Sequence, residues 1–284
     1  MGTVAGGMTR HWDARSVAGT LVRFAWIEAK SCVFAFALFA GLAVTSVVQL
    51  LIPRYDALLI YAVLLTVGFW LAGWESGREI AVIAGFHVVG LGLELFKVRM
   101  GSWSYPGEGL TKIGGVPLYA GFMYAAVGSY ICQAWRRLDL RVVGYPAVAV
   151  TIVAFAIYVN FFTHHFLPDA RWSLAAAMIL VLRRSWVYFT VGLDRFRMPL
   201  AVSFVLIGLF LWFAENAGTF LGVWAYPDQL DVWQLVHFGK FGSWSLLVSL
   251  SFVLVATVKA AEGSLYGERD GEASVVQCVY QPEG

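Results

Sequence analysis

The sequence predicts an all-α fold, a polytopic transmembrane helical bundle of about eight spans arranged as two parallel four-span repeats. The chain has 284 residues, of which 60% are hydrophobic and only 13% charged. A water-soluble domain carries about 25% charged residues. The apolar residues also fall in runs of about 20, the length that crosses a bilayer as a helix. A motif that occurs twice in the chain predicts the repeats.

Eight apolar runs define the predicted spans. The sixth run is interrupted by Arg183 and Arg184. An alternative for that run is a short span that ends near Leu182 and is followed by an interfacial stretch. The runs cover residues 31–52, 57–75, 80–98, 113–135, 142–162, 172–190, 199–221 and 233–259.

The charges between the spans predict the orientation of the chain. With the N-terminus inside, fourteen Lys and Arg residues fall on the cytoplasmic side and five on the outer side. This asymmetry predicts that both termini are cytoplasmic. The turn over residues 74–79 is then expected to be a solvated cytoplasmic turn with local ion pairs.

The predicted organisation has three parts. Residues 1–30 form a cytoplasmic N-terminal segment, and residues 31–260 form the membrane domain, with halves at about 31–135 and 142–260. The polar tail, residues 261–284, is expected to be cytoplasmic and disordered. The net charge of +2 gives no indication of nucleic-acid binding. The three cysteines have neither metal-site nor redox spacing, so the sequence predicts no metal and no cofactor.

The repeated motif connects an intramembrane carboxylate to an aromatic turn. Residues 94–106 read ELFKVRMGSWSYP, and residues 215–227 read ENAGTFLGVWAYP. Both fit Glu, six residues, Gly, any residue, Trp, any residue, Tyr, Pro, at an offset of 121 that Gly121 and Gly242 also share. Each copy begins in a span, the third or the seventh, and ends in the loop to the next span. The halves are therefore predicted to be parallel repeats related by an axis along the membrane normal.

The two glutamates, Glu94 and Glu215, are the candidate catalytic residues. A charged carboxylate costs at least about 2.5 kcal/mol at the bilayer centre and less nearer the surface, so intramembrane acids usually have a function. If the halves pack face to face, the two carboxyls approach each other near the outer surface. Structural hydrogen bonds between helices are the alternative.

The candidate binding residues lie near one glutamate in sequence or on its helical face. Lys97 follows Glu94 by three residues and His87 precedes it by seven, which places all three on one face. Interfacial anchoring is the alternative role for the aromatic residues, since Trp and Tyr favour the membrane surface. The candidates are His87, Lys97, Trp103, Tyr105, Asn216, Trp224, Tyr226, His237 and Lys240.

Several long strings resemble a known family. ELFKVRMGSWSYP, KIGGVPLYAGFMYAAVGSYICQAWRRLDLR, YFTVGLDRFRMPLAVSFVLIG and ENAGTFLGVWAYPDQ are similar to the YoaT-like family of uncharacterised bacterial polytopic membrane proteins. The resemblance runs from about residue 30 to about residue 260. It implies an integral protein of the bacterial cytoplasmic membrane and no assigned activity.

Three functions are left open, and with them whether the protein is an enzyme. The first is a lipid- or isoprenoid-directed enzyme or binding protein, with Glu94 or Glu215 as general acid or ligand. The second is a transporter or proton-coupled channel that uses the same carboxylates. The third is a structural membrane protein without turnover. Polar groups of the repeat concentrate in the outer half of the spans, which favours a site in one leaflet. The expected partners are membrane lipid and a hydrophobic small molecule, with no nucleic acid; a homo-oligomer stays open.

Overall fold

The structure is a computed structural model that describes residues 14–267. In this range nine α-helices and five short strands follow one another. The helices are α1 (Ala14–Ser31), α2 (Val33–Val47), α3 (Arg54–Leu71), α4 (Gly77–Arg99), α5 (Ala120–Arg137), α6 (Ala147–Thr163), α7 (Arg171–Leu182), α8 (Leu200–Phe220) and α9 (Gly239–Ala261). The strands are β1 (Lys112–Ile113), β2 (Val116–Pro117), β3 (Arg141–Val143), β4 (Trp186–Val191) and β5 (Asp194–Pro199).

The prediction of a mostly helical, apolar fold is confirmed. Four helices, α3, α4, α8 and α9, are long and apolar enough to cross a membrane. The helices α1 and α2 meet the same test as a pair bent by 63°, which raises the number of candidate spans to five. The helices α6 and α7 are apolar but shorter, with 17 and 12 residues. Each of the eight predicted runs overlaps a helix, although not every helix is a candidate span by itself.

A small antiparallel sheet departs from the all-α prediction. Strands β3, β4 and β5 pair in that order. The helix α7 ends at Leu182, so the predicted sixth span does not reach residue 190. The segment WVYFTV is rich in β-branched and aromatic residues, which favour a strand, and Gly192 makes the following turn with φ +68°.

The chain after α9 packs against this sheet. The backbone N–H of Val142 donates to the carbonyl of Leu265 at 2.8 Å, and the side chain of Leu265 is buried. The beginning of the predicted tail therefore belongs to the folded domain. Within the predicted N-terminal segment, residues 14–30 lie in α1. Residues 1–13 and 268–284, with Cys278, lie outside the described residues.

The turn before α4 is mostly exposed and carries ion pairs, but its two glutamates, Glu75 and Glu79, are buried. Ser76 and Glu79 form a capping box, with the Ser76 N–H donating to the Glu79 carboxylate at 2.7 Å. Glu75 is 1% exposed and accepts a hydrogen bond from the Ser129 hydroxyl at 2.5 Å. Burial raises the pKa of Glu75, and the bond from Ser129 opposes that rise. The sequence of the turn alone does not show that α5 covers these two glutamates.

The antiparallel pairs α4–α5 and α8–α9 have the most extensive helix contacts. Both pairs meet at the end of the bundle where α4 and α8 terminate, called the motif end below. A glycine allows the close approach of α4 and α5: a Cβ at Gly121 would lie 2.7 Å from the carbonyl oxygen of His87. The aligned Gly242 in α9 has no such neighbour within 4 Å.

This difference predicts opposite effects of one substitution at two aligned positions. We expect Gly121→Ala to lower the free energy of unfolding by about 1–3 kcal/mol, because the new methyl group meets a rigid backbone. Gly242→Ala is the matched control and should be neutral or slightly stabilising, since alanine favours a helix. Thermal unfolding in detergent followed by circular dichroism measures both. Equal melting temperatures would contradict the close packing of α4 on α5.

Candidate functional site

Both copies of the motif end their helix with the same turn. Gly101 and Gly222 have φ values of +69° and +64°, a conformation that an L side chain adopts only with strain. Each stands just past the last helical turn, in the hydrogen-bond pattern of a Schellman motif. The glycine at this position therefore ends the helix in both copies of the motif. The bonded pairs, N–H first, are Gly101–Val98 (3.0 Å), Ser102–Lys97 (3.0 Å), Gly222–Thr219 (3.0 Å) and Val223–Gly218 (3.1 Å).

In the first copy, the aromatic residues after the turn return to the glutamate of their own helix. The indole N–H of Trp103 donates to Oε2 of Glu94 at 2.6 Å, and the Tyr105 hydroxyl donates to the same oxygen at 2.9 Å. Glu94 is only 5% exposed and Tyr105 is 6% exposed. These aromatic groups are thus hydrogen-bond donors to a buried carboxyl.

The second copy repeats this arrangement. Oε1 of Glu215 accepts from the Trp224 indole at 3.0 Å and from the Tyr226 hydroxyl at 2.6 Å. Glu215, Trp224 and Tyr226 are all buried. Burial, followed by the adjacent carboxyl, raises the pKa of Tyr226 well above its usual value, and Tyr105 behaves in the same way. Both phenols therefore stay protonated and keep their donor role.

The two copies are joined at their central residues. The N–H of Ser104 donates to the carbonyl of Ala225 at 2.9 Å, and the N–H of Ala225 donates to the carbonyl of Ser104 at 2.9 Å. The Trp103 and Tyr226 rings also meet edge to face, with centroids 6.1 Å apart. This junction brings Glu94 and Glu215 close enough for their charges to act on each other.

The two carboxyls differ in how completely they are hydrogen-bonded. The Tyr124 hydroxyl of α5 donates to Oε1 of Glu94 at 2.8 Å, so both oxygens of Glu94 have donors. For Oε2 of Glu215, no donor is found among residues 16–267. The buried indole N–H of Trp244 lies next to Glu215 but makes no hydrogen bond of normal geometry. The site therefore contains one satisfied carboxyl and one with an open oxygen.

Lys240 lies at the same junction. Its ammonium nitrogen is 4.4 Å from the ring centroid of Tyr226 and 5.4 Å from that of Trp103. These are cation–π contacts to one aromatic residue of each copy. The structure thus groups seven of the eleven candidate residues, which are Glu94, Trp103, Tyr105, Glu215, Trp224, Tyr226 and Lys240.

Lys97 and His87 point away from Glu94. The Lys97 nitrogen lies 3.0 Å from Nε2 of His165 and 3.4 Å from Nε2 of His164. His87 packs on the Phe122 ring at 4.5 Å, and its buried Nδ1 has no hydrogen-bond partner. The shared helical face did not imply contact with the glutamate, because neighbouring helices cover parts of that face.

Asn216 and His237 also serve local structure. The Asn216 side chain accepts from the Val236 N–H at 2.9 Å and donates to the Trp212 carbonyl at 2.8 Å, which holds the loop before α9. His237 is exposed, and its Nδ1 accepts from the N–H of Gly239 at 3.0 Å. Among the described residues, no group of three or more His, Cys, Asp or Glu is arranged to hold a metal ion.

An apolar cleft begins beside the two carboxyls and runs between α4, α5, α6, α8 and α9. Its cavity volume is only about 40 Å³, so a ligand chain enters only when the lining side chains move apart. Tyr124 and Trp244, the residues next to Glu94 and Glu215, line it together with apolar groups such as Leu93. The sequence interpretation missed both aromatic residues. Helical spacing could have indicated them, because Tyr124 follows Gly121 by three residues and Trp244 follows Lys240 by four.

The third donor to Glu94 leads to a stability prediction. We expect Tyr124→Phe to lower the free energy of unfolding by about 1–3 kcal/mol, because Oε1 of a buried carboxyl loses its donor. Tyr158→Phe is the matched control, since its hydroxyl makes only a long 3.4 Å contact with the Val89 carbonyl. Its loss should have a smaller effect. Denaturant unfolding in detergent compares the two, and an equal cost would argue against the bond from Tyr124 to Glu94.

Comparisons with known proteins agree with the resemblance found in the sequence. The model of a family described as "Protein of unknown function (DUF817)" matches residues 20–252. The uncharacterized protein YoaT of Bacillus subtilis (strain 168) is 55% identical over 241 residues, which cover 84% of this chain and 91% of the relative. No solved structure matches the chain. With most of its length matched by the family model and by this relative, the chain belongs to the DUF817 family of proteins of unknown function.

Proposed function

We propose that this protein binds the hydrocarbon chain of a lipid or isoprenoid in the apolar cleft, with Glu94 and Glu215 at the head of the bound molecule. The observation that carries the proposal is the position of Tyr124 and Trp244. Both line the cleft, and both adjoin the carboxyl site. A ligand in the cleft therefore lies against the two side chains that adjoin the carboxyls.

The shape of the cleft supports a single flexible chain as its occupant. The walls are almost entirely apolar, with Phe86, Leu93, Leu211 and Leu247 among them. Ligand pockets of this kind combine apolar walls with a few polar groups that orient the ligand. The cavity of about 40 Å³ is smaller than such a chain, so binding requires the lining side chains to move apart.

The unequal carboxyls support different roles. Glu215 is the proposed general acid or polar ligand, because its Oε2 has no donor among residues 16–267. Glu94 accepts three hydrogen bonds and acts as a positioning group for Trp103 and Tyr105. In an enzyme, the face of Trp224 or Trp103 would stabilise a developing cation. The carboxyl of Glu215 would supply the proton, as in general acid catalysis.

A proton-coupled transporter is the second candidate. Two buried polar atoms without a partner favour it, Oε2 of Glu75 and Nδ1 of His87. Glu75 lies before α4, at the end opposite to the motif end, and His87 lies along α4 between Glu75 and Glu94. They add polar positions to the part of the bundle away from the motif end.

The proposed architecture is the one that the charge pattern and the repeat predict. It has eight spans, both termini in the cytoplasm, and two parallel four-span repeats in the bacterial cytoplasmic membrane. The reciprocal bonds between Ser104 and Ala225 support the repeat, because aligned residues that pair with each other indicate a local two-fold axis. The matching Schellman motifs at the ends of α4 and α8 support it as well.

Cysteine labelling tests the orientation. In a background with the native cysteines replaced by serine, Glu108→Cys and Asp231→Cys should react with a membrane-impermeant maleimide in intact cells. Asp139→Cys should react only after permeabilisation, because it follows α5 at the opposite end. Labelling of Asp139→Cys in intact cells would reverse the proposed topology.

Photo-crosslinking tests occupation of the cleft. A long-chain fatty alcohol with a diazirine on its chain, added to the purified protein, should label α9 in the wild type. Leu247→Trp fills the cleft and should reduce this labelling roughly tenfold, equivalent to about 1.4 kcal/mol of binding. Leu206→Trp, at a 45% exposed position on α8, is the matched control and should leave the labelling unchanged.

Size-exclusion elution and thermal unfolding check that both variants fold. Ser251→Phe, which also fills the cleft, replaces Leu247→Trp if that variant is unstable. Equal labelling of the wild type and the cleft-filling variants would remove the proposed function. The duplicated motif would then be a packing device at the ends of α4 and α8.

A further inference from the structure

Two ammonium groups at the motif end have no direct counter-ion. Lys97 is 4% exposed and Lys240 is half-buried. Among residues 16–267, neither has a carboxylate oxygen within the 4.0 Å of an ion pair. Burying a charge without a partner is costly, because water no longer solvates it. An anion from outside the chain would offset that cost.

Lys97 continues the wall that α4 contributes to the cleft. Phe86, Gly90 and Leu93 line the cleft, and Lys97 is the next residue in that series. Positions 86, 90, 93 and 97 lie on one face of a helix, since residues three or four apart are neighbours. Lys97 therefore follows this wall along the helix, and its ammonium lies beside it at His164 and His165.

Lys240 stands in the same relation to α9. Trp244, Leu247 and Ser251 line the cleft, and Lys240 precedes Trp244 by four residues. It begins the same helical face at the same end of the bundle. The unpartnered indole N–H of Trp244 lies between the apolar wall and this lysine along the helix. Two walls of the cleft thus end in a positive charge.

The third wall, from α6, leads to the same place. The rings of Tyr158 and Phe162 are 5.0 Å apart, and Phe96 lies 4.9 Å from Phe162 and 5.7 Å from the His165 ring. Tyr158 lines the cleft, whereas His165 contacts Lys97. A continuous row of aromatic rings therefore connects the cleft to the lysine.

Two histidines contact the ammonium nitrogen of Lys97. Nδ1 of His164 contacts the Asn160 carbonyl at 2.9 Å, and its Nε2 lies 3.4 Å from the Lys97 nitrogen. Burial and then the Lys97 ammonium lower the pKa of His165, which favours a neutral ring. The Lys97 ammonium therefore lies against two imidazole nitrogens and, within the described part of the chain, no carboxylate.

The charged groups around the two lysines are mixed but mostly cationic near Lys97. Lys240 and Arg171 act on Lys97 with positive charge, and Asp169 opposes them. Asp169 is already in an ion pair with Arg171 at 3.1 Å. Glu215 acts on Lys240 from beyond ion-pair distance. More positive than negative charge therefore acts on Lys97.

We propose that Lys97, Lys240 and the Trp244 N–H form a binding site for a phosphate group at the head of a lipid whose chain lies in the cleft. This proposal rests on the chain-binding function and adds the chemistry of the head group. A phosphate carries up to two negative charges and several acceptor oxygens, and lysine is a common phosphate ligand. The cleft and the two ammonium groups together select a prenyl or acyl phosphate over a neutral lipid.

Binding of three ligands to the purified protein in a neutral detergent tests the proposal. The ligands are a fifteen-carbon prenyl alcohol, its monophosphate and inorganic phosphate. We expect the monophosphate to bind at least roughly tenfold more tightly than the alcohol, the gain of one good ionic contact. Lys97→Met and Lys240→Met should each remove most of this gain. Binding of the alcohol should change little.

The control is Arg99→Met, a charge removed from the exposed end of the same helix, which should leave all three affinities unchanged. Lys240→Met keeps the test decisive if Lys97→Met does not fold. Equal affinity for alcohol and monophosphate would overturn the phosphate site and leave chain binding intact. If inorganic phosphate binds as tightly as the prenyl phosphate, the site recognises free phosphate, and the proposal of a lipid phosphate is wrong. Failure of all three ligands to bind would overturn the chain-binding function as well.

Discussion

Two carboxyl groups buried in apolar helices are the constraint on which the motif end of this bundle depends. A buried carboxylate without hydrogen-bond donors is strongly unfavourable, so each glutamate requires partners that water cannot supply. The turn at Gly101 or Gly222 reverses the chain, and the Trp and Tyr that follow reach back to the glutamate of the same helix. The spacing of the motif places the Trp nine and the Tyr eleven residues after the glutamate to which both donate.

The two copies of the motif have the same local geometry, but different side chains of neighbouring helices stabilise them. The hydroxyl of Tyr55 in α3 donates to the Val223 carbonyl at 2.8 Å, whereas Asp56 holds the loop of the first copy through the N–H groups of Leu110 and Thr111. One helix thus anchors both turns with different side chains. The same inequality gives Glu94 a third donor and leaves an oxygen of Glu215 open. The motif occurs twice and supplies a pair of carboxyls, which differ in their hydrogen-bond donors.

The cleft and the charged groups at its end have a common origin in helix packing. Gly90 has no side chain, and a Cβ there would meet the Tyr124 ring, so α5 can place this tyrosine against α4. The small residue brings the phenol to Glu94 and also to the cleft. The polar groups that surround the head of the cleft come from helices far apart in the chain. Their meeting therefore depends on how the helices are arranged.

The sequence by itself determined the apolar helices, the duplicated motif and the grouping of each glutamate with its own Trp and Tyr, because these depend on contacts over about eleven residues or fewer. Only the tertiary structure decided that Lys97 turns to two histidines, that Asn216 and His237 hold local turns, and that Tyr124 completes the partners of Glu94. It also decided that residues 186–199 form a hairpin against β3 and that Glu75 is buried. Helical periodicity tells which residues share a face, but which helix covers that face is set by packing between distant segments.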